Sequence, residues 1–481
     1  MNRSERQELD KWVEIIIEKG KEYGLDFFPI HFEVVPDHII YEMGSYGLPA
    51  RFSHWTFGRD YHIQKTMYEY GLSKIYEIVF NTDPCQAFLL ESNSMLAHKF
   101  VAAHVLGHDD FFKNNTYFEH TDRKMIEKAR LHANRIRKYE EEHGVEKVEN
   151  LLDAALTIEY HFDTGLTTGF RKKTISEERR LVQNRTSTEY DDLWDIKTPP
   201  ISSASPNKKI PVESEYDLLG FIHDYAPELE NWERDILNMI REEMIYFIPQ
   251  MRTKIINEGW ASFWHERILT NIDLTPEEHL EFRRMHASVL SPGSKMSINP
   301  YYVGYNIFRD IERRWNGQTN SDYDETDWRG EKLTRPDNEG LKKIFEVRQE
   351  DSDVSFLRKY LTDSLVHRLD MYVYEKKEVD DEQLWVVQDT NWRKVRDTLL
   401  TSMTNFGIPI ITVEDGDYKK KGELLLKHAH EGKDIDEEST RNVLIYIYYL
   451  WKRPVCLQTR QEDKLILIRY DGMKYTKEDW Q

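Results

Sequence analysis

The segment ESNSMLAHKFVAAHVLGHDDFFKNN, residues 91–115, constrains this chain more than any other. On a helix turning about 100° per residue, His104 and His108 fall four apart on one face, with Val101 and Phe111 beside them. Two imidazoles at that spacing can grip one metal ion, or can pair by hydrogen bonding inside a helical core; the spacing alone fits both. His98 lies about 120° away on the same wheel and is not counted as a co-ligand.

A second segment, INEGWASFWHERIL (256–269), follows Pro249 and reads as a helix whose apolar surface is Ile256, Trp260, Phe263 and Trp264. Glu258 and His265, seven apart, face the same way two turns apart. Brought against the first helix, Glu258 completes a His104–His108–Glu258 set of the kind that leaves one metal position open for water. Otherwise Glu258 is a solvated helix residue or half of a buried ion pair. Its neighbour Gly259 argues for the first reading. Glycine in a helix interior costs about 1 kcal/mol relative to alanine, and here it marks the close approach of another backbone. In HExxH metallopeptidases the glutamate after the first histidine is the general base, and here that position is Val105. A hydrolytic mechanism must find its base among Glu258, His265, Glu266 and Asp110, or the metal site is catalytically silent.

Composition narrows the class. The 86 acidic and 66 basic residues leave a net charge of −20, which disfavours general binding to nucleic acid or to an anionic membrane. Aromatic residues at 12% can supply core area that a charged fraction of 32% withholds. Only Cys85 and Cys456 are present, and both are expected to be reduced. The charged N-terminus lacks a signal-peptide pattern, and the longest apolar runs, such as Leu444 to Trp451, fall short of the roughly 20 residues of a membrane helix. A cytoplasmic protein with no membrane insertion is expected.

The length suits more than one domain. Residues 1–340 read as mainly helical, broken at Phe27–Pro29, Ala50–Gly58 and Asn81–Pro84. A flexible insertion is expected near 170–214, where apolar periodicity lapses into charged runs and a Pro/Ser-rich stretch. Residues 341–481 read as a smaller α+β module, with β-prone runs at 384–387, 408–413, 455–459 and 464–470. The loop from Arg51 to Gly58 could line a pocket or pack its aromatics, and His286, Ser288–Pro292 and Asn299–Tyr302 could reach the same cavity as the histidines. No phosphate-loop, dinucleotide or nucleophile-elbow motif occurs.

Several long motifs resemble the stage V sporulation protein R (SpoVR) family: GLDF (24–27), YGLPARFSHW (46–55), AHVLGHDDFFKNN (103–115), NEGWASFWHE (257–266), INPYYVGYNIF (298–308) and FEVRQEDSDVSFLRKYLT (345–362). In the tail NFGIPIITVEDGDY (405–418) and LWKRPVCLQT (450–459) look like the family's C-terminal pattern. The resemblance implies a role in spore cortex formation, with a broader stress role in non-sporulating relatives. It also implies functional partners, a serine protein kinase and a von Willebrand A-type protein. EGWA (258–261) after an HxxxH helix is in addition similar to the third-ligand segment of gluzincin-type metallopeptidases. Carried over, this implies zinc on His104, His108 and Glu258 in a metallopeptidase-like helical core, while Val105 departs from that pattern. Two readings follow: a metal-dependent hydrolase or amidase acting on peptidoglycan precursors or proteins, with Glu258 and His265 catalytic, or a non-catalytic scaffold working with the kinase. A di-iron bundle ranks last for want of two ExxH sets.

Overall fold

The computed structural model describes residues 1–70, 77–162, 210–211, 214–293, 297–319, 322–323, 326, 329–332, 338–379, 382–462 and 464–480. They form two compact units, each built from two stretches of chain: Met1–Arg137 with Tyr246–Gly407, and Lys138–Ile245 with Ile408–Gln481. The insertion expected near 170–214 lies almost wholly outside the described residues.

The first unit is organised around two buried helices. The histidine helix, Met95–Asn114, starts where the Ser94 hydroxyl accepts the Ala97 N–H at 3.2 Å, and every residue from Leu96 to Phe112 is buried. A helix covered on all sides belongs at the centre of a domain. The glutamate helix, Lys254–Thr270, has no side-chain cap from its own Thr253. Its first free N–H groups, on Ile255 and Ile256, instead donate to the buried carboxylate of Asp353 at 3.0 and 2.9 Å. Around this pair pack helices Arg3–Glu22, Pro276–Val289, Pro300–Trp315, Gly340–Glu350 and Asp353–Tyr360. Trp260, Trp264, Phe282, Phe308 and Phe356 are among the largest fully buried side chains of the shared core.

The N-terminal stretch is less purely helical than its sequence suggests. It contains a three-stranded sheet of β1 (Ile30–Val35), β2 (Glu77–Phe80) and β3 (Cys85–Leu90), ordered β1-β3-β2, with β1 parallel and β2 antiparallel to β3. In β3, CQAFLL, five of six residues are buried. Such a strand carries no alternation, and periodicity cannot separate a short buried strand from a piece of helix. A hairpin of β4 (Val373–Val379) and β5 (Glu382–Asp389) and the helix Trp392–Met403 complete the unit. Where the sequence suggests a boundary near 340, residues 341–407 share the first unit's core, burying Ile344, Val347, Phe356, Leu357 and Leu365 in it.

The second unit carries a five-stranded sheet ordered β10-β9-β8-β7-β6: β6 (Ile411–Tyr418), β7 (Glu423–His428), β8 (Val455–Gln461), β9 (Lys464–Tyr470) and β10 (Tyr475–Asp479). Only β7 and β8 run parallel, and a parallel pair needs a crossover, here the helix Glu437–Trp451. That helix accounts for the apolar run 444–451, and it packs on the helix Val145–Thr157. Glu215 and Val413 exchange backbone hydrogen bonds of 3.0 and 2.7 Å, tying the two stretches of this unit together. The β-prone runs overlap β5, β6, β8 and β9, while β7 and β10 lie outside them. The expected pattern of a mainly helical chain with a C-terminal sheet module therefore stands. Cys85 and Cys456 are both free and buried. Among the described residues no helix is long and apolar enough to cross a membrane.

Candidate metal centre

Small residues set the spacing of the helices that carry the site. A Cβ on Gly107 would stand 2.6 Å from the Ala261 Cα, so the histidine and glutamate helices touch almost backbone to backbone. Two residues back, a Cβ on Gly259 would collide with the backbone of Gly304 in the helix Pro300–Trp315. This is the close approach that a glycine beside Glu258 suggested. It also brings Tyr301, one turn before Gly304, to the same place as the histidines.

His104 and His108 present their Nε2 atoms to one oxygen of Glu258, Oε2, each at 3.4 Å. Ligand atoms of the three residues lie within 4.8 Å of one another. A charge-assisted hydrogen bond spans about 2.7–2.9 Å, so 3.4 Å is long for direct pairing. It matches instead the edge of a tetrahedron with ligands about 2.0–2.1 Å from a central ion, which comes to roughly 3.4 Å. His104 Nε2 and Glu258 Oε2 are buried and have no hydrogen-bond partner among the described residues. Orphaned buried acceptors are rare, and a pair of them aimed at one point fits a divalent cation. The rear nitrogens are held: His108 Nδ1 lies 2.9 Å from Asn257 Oδ1 and donates to it, and His104 Nδ1 lies 2.9 Å from His265 Nδ1.

The electrostatics are those of a buried anion between imidazoles. Burial acts against charge on Glu258, but His108 and then His104 hold its carboxyl well below the usual range. Burial, with His108 nearby, pushes His104 down to about 4. For His108 burial is outweighed by the adjacent Glu258 carboxylate, which raises its pKa above the ordinary imidazole value.

Two further groups surround the cluster. Glu77 opens β2 opposite Leu89, and its electrostatic neighbours are His108 and Glu258. Burial raises it to about 7, with His108 opposing and Glu258 adding to the shift. Glu77 leaves little trace in the sequence: its only signal is a carboxylate inside the apolar run IYEIVF (75–80). Tyr301 stacks on His104 at 5.8 Å between ring centroids and 25° between planes. Glu258, together with burial and Glu77, pushes its phenol well above the usual range.

The remaining sequence candidates fall elsewhere. Val105 is fully buried in the core. Asp110 faces away from the centre, accepting from Trp260 Nε1 (2.8 Å), the Asp26 N–H (2.8 Å) and Arg348 (2.9 Å). His265 stands behind His104, and His286 stands behind His265, at 2.8 Å from its Nε2. Glu266 faces an open cleft of about 200 Å³ lined also by Arg267, Arg283, Arg309 and Glu312. In the Arg51–Gly58 loop His54 accepts the Thr56 N–H at the start of helix Trp55–Glu69, while Phe52 and Phe57 pack together. Asn115 donates to the carbonyls of Arg348 and Asp351, a structural tie.

Comparison with known proteins gives this geometry a context. No solved structure matches the chain. A curated relative, "Uncharacterized protein YcgB" from Escherichia coli (strain K12), is 28% identical over 486 residues, covering 95% of this chain and 92% of its own. The family model "SpoVR like protein" matches residues 3–408 and "SpoVR-like C-terminal domain" matches 409–462. Both segments of the cluster, and the tyrosine helix beside them, lie inside the first match, and the chain belongs to the SpoVR family.

Proposed function

We propose that the chain is a metal-dependent hydrolase or amidase of the sporulation-associated class its family name denotes, with His104, His108 and Glu258 as metal ligands. The observation that carries this reading is the pair of 3.4 Å separations from His104 and His108 Nε2 to Glu258 Oε2, with His104 Nε2 and Glu258 Oε2 buried and without hydrogen-bond partners among the described residues. A zinc or similar divalent ion bound there would supply Lewis acidity toward a carbonyl and acidify water. Glu77 takes the part that Val105 cannot: a buried carboxyl beside the ligands, raised to about 7, is suited to holding and returning a proton near neutral pH. Tyr301, kept protonated, is a donor for developing negative charge on a substrate oxygen. Asn257 and His265 orient the two ligand imidazoles from behind.

In this reading the gluzincin likeness extends to the ligand set and stops at the base. Peptidoglycan precursors or proteins are the proposed substrates, spore cortex formation the proposed setting, and a serine protein kinase and a von Willebrand A-type protein the proposed partners. The competing reading, a scaffold acting with the kinase, keeps the same fold and needs no metal.

The deciding measurement is metal content by elemental mass spectrometry on protein purified without a chelating tag. About one zinc, iron or manganese per chain is expected. Well-folded His104→Ala and Glu258→Ala variants should lose it. Folded wild type that takes up no metal, even on reconstitution, would leave the scaffold reading in its place.

A further inference from the structure

The ribbon of β4 and β5 leaves apolar surface in water where the other strands do not. Leu384, Trp385, Val386 and Val387, consecutive in β5, are 46, 38, 37 and 43% exposed, and no other described strand carries such a run. Successive strand residues point to opposite faces, so the ribbon is apolar and open on both sides along this stretch. Two strands without a covered face are marginal in water, and an apolar free edge is a template for another strand. We propose that β5 is a dimerisation edge, pairing antiparallel with β5 of a second copy of this chain about a two-fold axis into one sheet ordered β4-β5-β5-β4.

Each strand of the ribbon has one free edge, and among the described residues no third strand pairs with either. Two-fold antiparallel pairing sets some residue directly opposite its own copy. On β4 that residue would be drawn from the exposed Glu375, Lys376 and Lys377, and like charges directly opposite repel. On β5 it is drawn from the apolar row, and its neighbours in the pairing are apolar too. Centred on Trp385, for example, Leu384 meets Val386 of the partner subunit, and such aliphatic and aromatic cross-strand pairs stabilise a sheet.

Charge therefore guards one edge and leaves the other open. The sheet of the second unit guards both of its edges: β10 exposes Lys477, Glu478 and Asp479, and β6 is broken by two register shifts. Self-pairing of β5 also closes, because it consumes both open edges and leaves only the charged β4 edges outside, so assembly stops at two copies. Side chains at these exposures offer on the order of 300 Å² per copy, against roughly 800 Å² per partner in a tight complex, so the dimer is weak and falls apart on dilution. The pairing uses no residue of the metal centre.

The test is sedimentation equilibrium of the full chain from about 1 to about 300 µM, in about 0.3 M salt to screen the charge of −20 on each copy. The mass should rise from one chain toward two, with no larger species. Val386→Lys, which puts a cation into the row, should move dissociation to a concentration at least about 10-fold higher. Lys377→Ala, on the guarded edge, should leave it within about two-fold of wild type. In variants carrying a single added cysteine at 384, 385, 386 or 387, mild oxidation should link two copies most efficiently at the position on the axis, the native Cys85 and Cys456 being buried. Wild type that stays one chain at the highest concentration overturns the proposal, as does a dimer that Val386→Lys leaves intact. If circular dichroism shows Val386→Lys unfolded, the cysteine series decides, and no linked dimer at any of its positions overturns the proposal as well.

Discussion

Two polar clusters grow from the same buried helix and are built in opposite ways. At Asp110 each carboxylate oxygen meets a donor, from Trp260, Asp26 and the buried Arg348, and neither oxygen is left over. At His104 and His108, six and two residues back, the acceptors converge on Glu258 at distances long for direct pairing, with His104 Nε2 and Glu258 Oε2 unsatisfied. Burial and neighbouring core are shared, so the contrast does not come from environment. A polar group kept for structure is closed by its partners, whereas one kept for a ligand is held open by everything around it.

Breaking the closed cluster should have the largest effect. Asp110→Ala strands the Arg348 guanidinium in the core, and loss of one partner of a buried pair costs about 3–5 kcal/mol. Chemical denaturation should show that loss without metal present, and a variant as stable as wild type would contradict the structural role. Next comes the spacing that holds the open cluster. Gly259→Ala drives a methyl into the Gly304 backbone and should destabilise by about 1–3 kcal/mol, with metal affinity falling further than stability because Glu258 is the adjacent residue. Equal losses of both would mean the glycine serves packing only.

The smallest effect is the most specific to the comparison. Glu77 has a folded pKa of about 7, above its unfolded value near 4.5. Its contribution is therefore fully present below about pH 4.5 and is lost as pH rises through 7. Glu77→Gln removes that titration, so in metal-free protein it should gain on wild type as pH rises from 5 to 8, by on the order of 1–2 kcal/mol. A difference that is flat with pH, followed by thermal melts, would show that the carboxyl is not burdened by its site.

Particular residues show what was legible beforehand. The imidazoles of His104 and His108 were readable because a helix places i and i+4 on one face, and Glu258 because a glycine beside it had no local reason to be there. His265 shares a helical face with Glu258, but two turns separate them by about 10 Å, so it meets His104 from the far side of the ring. A wheel gives direction and not depth. Glu77 reaches the site through a strand, and its position depends on pairing with β3, a long-range event that leaves no local pattern. The N-terminal sheet escaped for the same reason, while the turn-bounded runs that became β6, β8 and β9 did not.

The division of the chain into interleaved stretches has a consequence for synthesis. The two histidines leave the ribosome about 150 residues ahead of Glu258, with the first stretch of the second unit between them. At about 5–20 residues per second that is a delay of roughly 8–30 s, during which a helix destined to be covered on every side has only the N-terminal helix and sheet to cover it. The histidine helix therefore waits half-covered, and the centre can be assembled only once more than half of the chain has been made.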